Sequence, residues 1–144
     1  MGNSISLSIL IPLTPMVTAL FILILLVSFN RTINRLTKPV SFLVVFSLLV
    51  SAFISSYLYL KKIEGELFFS NYVKVFESKN LALHLNSLNE KIIICFTIIM
   101  AMVIGVLFYK LPRQKGYVSL LIGISLISSS IIFAVMFLDF SVLI

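Results

Sequence analysis

Few side chains in this sequence could do chemistry, and they form no recognisable catalytic set. The chain has one histidine, His84, one cysteine, Cys95, and five acidic residues. We find no glycine-rich phosphate loop, no paired histidine and cysteine, and no serine–histidine–acid set in the sequence. A lone cysteine inside an apolar run has buried packing as its ordinary role. We therefore predict no catalytic, cofactor-binding or metal-binding residue in this chain, and no cofactor.

Two ionisable residues leave alternatives open. His84 lies in the polar region of the chain, where a metal-ligand or proton-relay role stands beside an ordinary interfacial position. Asp139 is the only acid outside that region, and one long apolar segment separates it from the basic stretch before it. That separation approaches a full bilayer crossing and places Asp139 at an interface, as a helix cap, a turn residue or a proton carrier.

The elements that position these residues are long apolar segments. Hydrophobic residues make up 60% of the chain and charged residues 11%, more apolar surface than a soluble domain of this length can hide. The clearest segment opens with a polar turn at Asn86 and then runs without a charge from Ile92 to Tyr109. The same pattern along the chain predicts a single all-α integral membrane domain over residues 1–144. Its four transmembrane helices are predicted at residues 6–29, 40–60, 92–109 and 117–138.

The polar region 61–91 separates the second and third predicted helices. Apolar and polar residues alternate over 72–76 and again over 81–85, which is typical of two half-exposed strands. The four residues Glu77 to Asn80 between them suit a turn. We therefore predict an external β-hairpin here, packed on the helix ends because an isolated hairpin is only marginally stable.

Small residues recur at four-residue spacing within the apolar segments. This spacing puts them on one helix face, where another membrane helix can approach closely. The predicted helix-packing residues are Ser47, Ser51 and Ser55; Thr97, Ala101 and Gly105; Ser119 and Gly123; and Ser125 and Ser129.

The basic residues predict how the chain is oriented in the membrane. The first and third connections between predicted helices contain cations and no acid: Arg31, Arg35, Lys38, Lys110, Arg113 and Lys115. Cations flanking membrane helices concentrate on the cytoplasmic side, so we expect both connections there. Both termini and the hairpin would then face the non-cytoplasmic side. This placement favours the lipid bilayer as the partner of the basic residues and argues against nucleic acid.

Several short patterns, in order along the whole chain, resemble one known family. They are Ile11-Pro12-Leu13-Thr14-Pro15, the basic turn from Phe29 to Lys38, the predicted hairpin over 72–85, Leu85-Asn86-Ser87-Leu88, Tyr109, Gly116-Tyr117-Val118, and the segment from Asp139 to Ile144. Together they are similar to the amino-terminal portion of the antiporter-like subunit 5 (chain L or F) of NADH or NAD(P)H-quinone oxidoreductase, the complex I family.

The resemblance implies a role without catalysis. The chain has Asn86 where the family usually has an acid at the start of the third helix. It also has no tryptophan and ends before the glutamate of the family's fifth helix. No family catalytic residue is therefore carried over.

The implied function is a non-catalytic membrane subunit, or a truncated homologue, of the proton-pumping arm of an NAD(P)H-quinone oxidoreductase. Other membrane subunits of a complex I-type assembly would be its partners, in a bacterial inner or thylakoid membrane. The main alternative is an independent four-helix membrane scaffold or assembly protein without transport activity. A small transporter is disfavoured because the predicted span interiors lack Asp, Glu, Lys, Arg and His.

Overall fold

Four long helices dominate the computed structural model, which describes residues 7–33, 35–63, 65–68, 82–110 and 116–137. They are α1 (Leu10–Ser28), α2 (Thr37–Leu60), α3 (Ser87–Lys110) and α4 (Tyr117–Phe137). A 3₁₀ turn, Leu7–Ile9, precedes α1, and a one-turn helix, Asn30–Ile33, joins α1 to α2. With the 3₁₀ turn counted into α1, the helices have 21 to 24 residues and are apolar enough to cross a membrane. The prediction of four membrane-crossing helices is confirmed by length and composition.

Two of the helices begin earlier than the apolar runs that predict them. Helix α3 starts at Ser87 rather than Ile92, and α2 starts at Thr37 rather than Val40. Pro39 is tolerated in the first turn of α2 because the backbone N–H groups there have no partner within the helix. Hydropathy marks only the part of a helix that suits lipid, so polar opening turns fall outside a hydropathy-based boundary.

The bundle has two ends, and a separate cluster of buried side chains fills each half. Helix α1 packs on α2 and α4, whereas α3 packs mainly on α2 and only slightly on α4. One cluster includes Val40, Ile104 and Tyr117, close to the connections after α1 and α3. We call this end the basic end. The other cluster includes Ile11 and Leu85 and lies at the opposite end, which we call the strand end.

The predicted external hairpin over 72–85 is not supported. Of its two strands, only the second is found: Ala82–Leu85 forms β2 and pairs antiparallel with β1, Gly65–Phe68. Leu85 faces Gly65, whereas a turn at 77–80 would put it opposite Tyr72. The first predicted strand and the turn lie outside the described residues.

Tertiary contacts explain the different pairing. Leu85 is buried in the cluster at the strand end, which fixes β2 against the helices. Lys62 has φ 50° and lies in a turn directly after α2. The strand that follows this turn, β1, pairs with β2. Local alternation identifies a strand, but it does not choose the strand's partner.

Candidate functional site: a hydroxyl-lined helix interface

Helix α1 has a backbone defect in its first half. Pro15 lies inside the helix and has no N–H group, so it cannot donate to the carbonyl of Ile11 four residues earlier. Ile11, Pro12 and Pro15 are all buried on the same face of α1. A carbonyl without a donor is costly in hydrocarbon, where no water can replace the missing bond. The packing of α1 therefore has to supply a donor.

Helix α2 supplies that donor. The buried hydroxyl of Ser51 donates to the carbonyl oxygen of Ile11 at 2.6 Å. The hydroxyls of Thr14 and Ser51 are 2.6 Å apart, and Thr14 is the donor because the Ser51 proton is already engaged. One turn along, the hydroxyl of Thr18 donates to that of Ser47 at 3.2 Å. The serine stripe of α2 thus bonds to both the backbone and the side chains of α1.

Helix α4 binds the other side of the same proline segment. The buried hydroxyl of Ser125 donates to the carbonyl oxygen of Pro15 at 2.8 Å, and that of Ser129 to Pro12 at 2.9 Å. Helix α1 is therefore held between a serine pair on α2 and a serine pair on α4. We call the set Thr14, Ser47, Ser51, Ser125 and Ser129 the hydroxyl ladder.

The other predicted packing residues have different surroundings. Ser55 donates to the carbonyl oxygen of Glu90 at 3.3 Å and so links α2 to α3. Thr97 is buried but bonds to its own helix, at 2.8 Å from the carbonyl oxygen of Ile93. Ala101 is buried in the cluster at the basic end.

The small residues on the outer faces of α3 and α4 are not packed as closely as the ladder serines. Ser119 and Gly105 are exposed, and Gly123 is half-buried. Among the described residues, a Cβ atom added at Gly105 or Gly123 would meet no atom within 4 Å beyond the backbone of its own helix. These positions leave room for a neighbour outside the chain or for lipid.

Two buried polar residues at the start of α3 were not predicted from the sequence. Asn89 and Glu90 are 1% and 2% exposed. The side-chain amide of Asn89 donates to the carbonyl oxygen of His84 at 3.1 Å, which ties α3 to β2. Glu90 lies in the first helical turn, where the helix dipole favours a carboxylate. Its spacing of seven residues from Thr97 puts it on the buried face of α3, and that spacing was the available signal.

Tyrosine and lysine side chains meet at the strand end. The ammonium of Lys61 lies 4.6 Å from the ring centroid of Tyr57, and that of Lys91 lies 5.4 Å from the ring centroid of Tyr59. The second pair joins the end of α2 to the start of α3. Such cation–π pairs suit the membrane interface, where tyrosine is enriched.

The predicted orientation residues that are described share the other end of the bundle. The hydroxyls of Ser41 and Tyr117 are 3.1 Å apart, so α2 and α4 start side by side. Four exposed cations lie at this basic end: Arg31, Arg35, Lys38 and Lys110. Arg113, Lys115 and Asp139 are outside the described residues, and Cys95 is exposed on α3.

The polar side chains of the hydroxyl ladder join helices to one another. The ladder hydroxyls are used in hydrogen bonds between helices, and within the described ranges no three His, Cys, Asp or Glu residues lie together as a metal site would need. The chain matches no known protein-family model, and no curated protein matches it at a significant level of similarity.

Proposed function

We propose that this chain is a non-catalytic helical subunit of a larger membrane assembly. The hydroxyl ladder carries the proposal, because it locks α1, α2 and α4 into one unit through buried hydrogen bonds. Polar groups used in this way fix the positions of the helices relative to one another. The chain would then act by holding a shape to which other membrane helices attach.

Helix α3 is the surface that would meet those helices. Of the 18 residues in the most apolar stretch of α3, only 17% are buried within the chain. The same fraction is 28% for α1 and 39% for α2 and α4. Its outward side includes Met102, Val103 and Val106, with the exposed Gly105 beside them. A glycine among aliphatic side chains lets a second helix backbone come close, which is the usual mode of helix contact in lipid.

The resemblance to the antiporter-like subunit makes a complex I-type enzyme the first assembly to test. In that setting the chain would be a structural part of the proton-pumping arm, with electron and proton transfer on other subunits. Glu90 adds some support, because it places a carboxyl in the opening turn of α3, near the position where the family usually has an acid. The chain has Asn86 at the family's own position.

Co-purification from gently solubilised membranes tests both the subunit role and the complex I assignment. We expect a tagged chain to retain other membrane proteins, with complex I-type subunits among them. Retention of unrelated membrane proteins would keep the subunit role and reject the complex I assignment. Recovery of the chain alone would favour the independent scaffold.

A matched pair of variants tests whether α3 is the contact. Gly105→Leu fills the open position on α3, whereas Leu49→Phe enlarges an exposed side chain on α2. We expect Gly105→Leu to reduce partner recovery severalfold and Leu49→Phe to leave it unchanged. Equal recovery with both variants would reject α3 as the contact surface.

A further inference from the structure

The net positive charge of the chain comes from the residues in and beside the two short connections after α1 and α3. The formal net charge is +6, from eleven basic and five acidic residues. Six cations and no acid lie in the connections after α1 and α3 or at their edges, and the other five cations are matched by the five acids. One part of the chain is therefore strongly basic, and the rest is neutral overall.

Four described cations lie at one end of the fold with no described acid, whereas Lys61, Lys62 and Lys91 lie at the other end together with the described acids. Arg31, Arg35, Lys38 and Lys110 are all exposed at the basic end. Glu66 lies in β1 and Glu90 in the first turn of α3, both at the strand end. Opposite ends of membrane-crossing helices are separated by about 30 Å, several Debye lengths at physiological salt. Those acids do not offset the positive potential of the basic end.

Exposed apolar side chains lie among these cations. Phe29 is 60% exposed, Leu36 is 45% exposed and Tyr109 is 91% exposed. Each is within two residues of a basic side chain. Cations interleaved with exposed aromatic and aliphatic groups are typical of segments that sit among lipid headgroups, with charge in the headgroup layer and rings at the acyl boundary.

We propose that the basic end binds the headgroups of anionic phospholipids. Arg31, Arg35, Lys38 and Lys110 contact the phosphates, and the neighbouring apolar side chains enter the outer acyl region. The bilayer is the fitting occupant because these residues cap helices that cross it. A soluble polyanion would satisfy the charges and leave the apolar groups in water. The proposal concerns which lipids surround the protein and is independent of its protein partners.

The absence of tryptophan from the sequence allows a direct test. Phe29→Trp places a single indole at the basic end, and Leu60→Trp places one at the strand end, where residue 60 is 79% exposed. Each variant is reconstituted into vesicles of phosphatidylcholine and phosphatidylglycerol, with one lipid or the other brominated on its acyl chains near the headgroup. Both leaflets have the same composition, so the direction of insertion does not affect the quenching.

We expect brominated phosphatidylglycerol to quench the tryptophan fluorescence of Phe29→Trp as strongly as it would at about three times its share of the vesicle lipid. It should quench the fluorescence of Leu60→Trp only in proportion to its share of the vesicle lipid. Raising the salt from 0.1 to 1 M should weaken the enrichment, because the Debye length falls from about 10 to about 3 Å. Equal quenching by the two lipids at Phe29→Trp, or equal enrichment at both ends, would overturn the proposal.

Charge removal gives the second arm of the test. In the Phe29→Trp background, glutamine replaces the four cations of the basic end. The matched control replaces Lys61, Lys62 and Lys91 at the strand end. We expect the first variant to lose the phosphatidylglycerol enrichment and the control to keep it, with both retaining their helical circular dichroism. Enrichment that survives removal of the four cations would reject these residues as the binding site.

Discussion

Replacing Ser51 with alanine tests the central contact of the bundle. Its hydroxyl donates to the Ile11 carbonyl that Pro15 leaves without a backbone donor, and it accepts from Thr14. Alanine removes the hydroxyl and little volume, so the change in stability reports the hydrogen bonds. We expect Ser51→Ala to lower the free energy of unfolding.

The expected loss of stability depends on which hydrogen bonds the remaining groups can form without the Ser51 hydroxyl. Interhelical hydrogen bonds in membrane proteins contribute about 0.6 kcal/mol on average and up to about 1.7 kcal/mol. A buried carbonyl left without a donor costs about 1–3 kcal/mol. Thr14 can partly replace the lost donor, because its hydroxyl already lies 3.3 Å from the carbonyl oxygen of Ile11. We therefore expect a loss of about 1–1.5 kcal/mol.

A double-mutant cycle with Pro15→Ala identifies the cause. Alanine at position 15 has an N–H group that can donate to the Ile11 carbonyl within the helix. In that background Ser51→Ala should cost only about 0.5 kcal/mol, since the carbonyl keeps a partner. The expected coupling is about 0.5–1 kcal/mol, above the usual error of additivity.

The measurement is unfolding in mixed micelles with a rising fraction of SDS, followed by near-ultraviolet circular dichroism. Ser56→Ala is the control, because the bond that the Ser56 hydroxyl makes among the described residues is within its own helix, at 2.7 Å from the carbonyl oxygen of Ala52. We expect the control to change stability by less than about 0.5 kcal/mol. A Ser51→Ala cost that is the same with proline and alanine at position 15 would refute the reasoning.

The same titration checks three further predictions. Gly116 has φ 104°, so Gly116→Ala should lower the free energy of unfolding by about 1–2 kcal/mol. The control Gly123→Ala adds a Cβ into open space and should change that free energy by less than about 0.5 kcal/mol. Equal effects of the two variants would contradict the conformational explanation. Ser125→Ala and Ser129→Ala should each cost about 0.6 kcal/mol and at most about 1.7 kcal/mol, and no loss in the double variant would show that these bonds do not hold α1 to α4. Tyr117→Phe removes the hydrogen bond to Ser41 of α2 and should cost about 0.5–1.5 kcal/mol, with an unchanged midpoint as the contrary result.

Local patterns in the sequence predict the helices and their small-residue faces. A run without charge such as Ile92 to Tyr109 predicts a membrane-crossing helix because lipid cannot solvate charge. The four-residue spacing of Ser47 and Ser51 predicts a shared helix face, since that spacing is the helix period. Both properties depend only on neighbours along the chain.

The partner of each polar group is decided by the tertiary structure. The sequence places Ser51 on a face, but only the packing of α2 against α1 brings its hydroxyl within 2.6 Å of the Ile11 carbonyl. Likewise, the burial of Glu90 and the pairing of β2 with Gly65–Phe68 depend on segments distant along the chain. Hydropathy and helix periodicity depend on residues that are near one another in the sequence. Hydrogen-bond partners depend on the tertiary structure, because every buried polar group must find a donor or acceptor there. The proline segment of α1 shows both parts: the sequence creates the carbonyl that lacks a donor, and the fold supplies the serine that satisfies it.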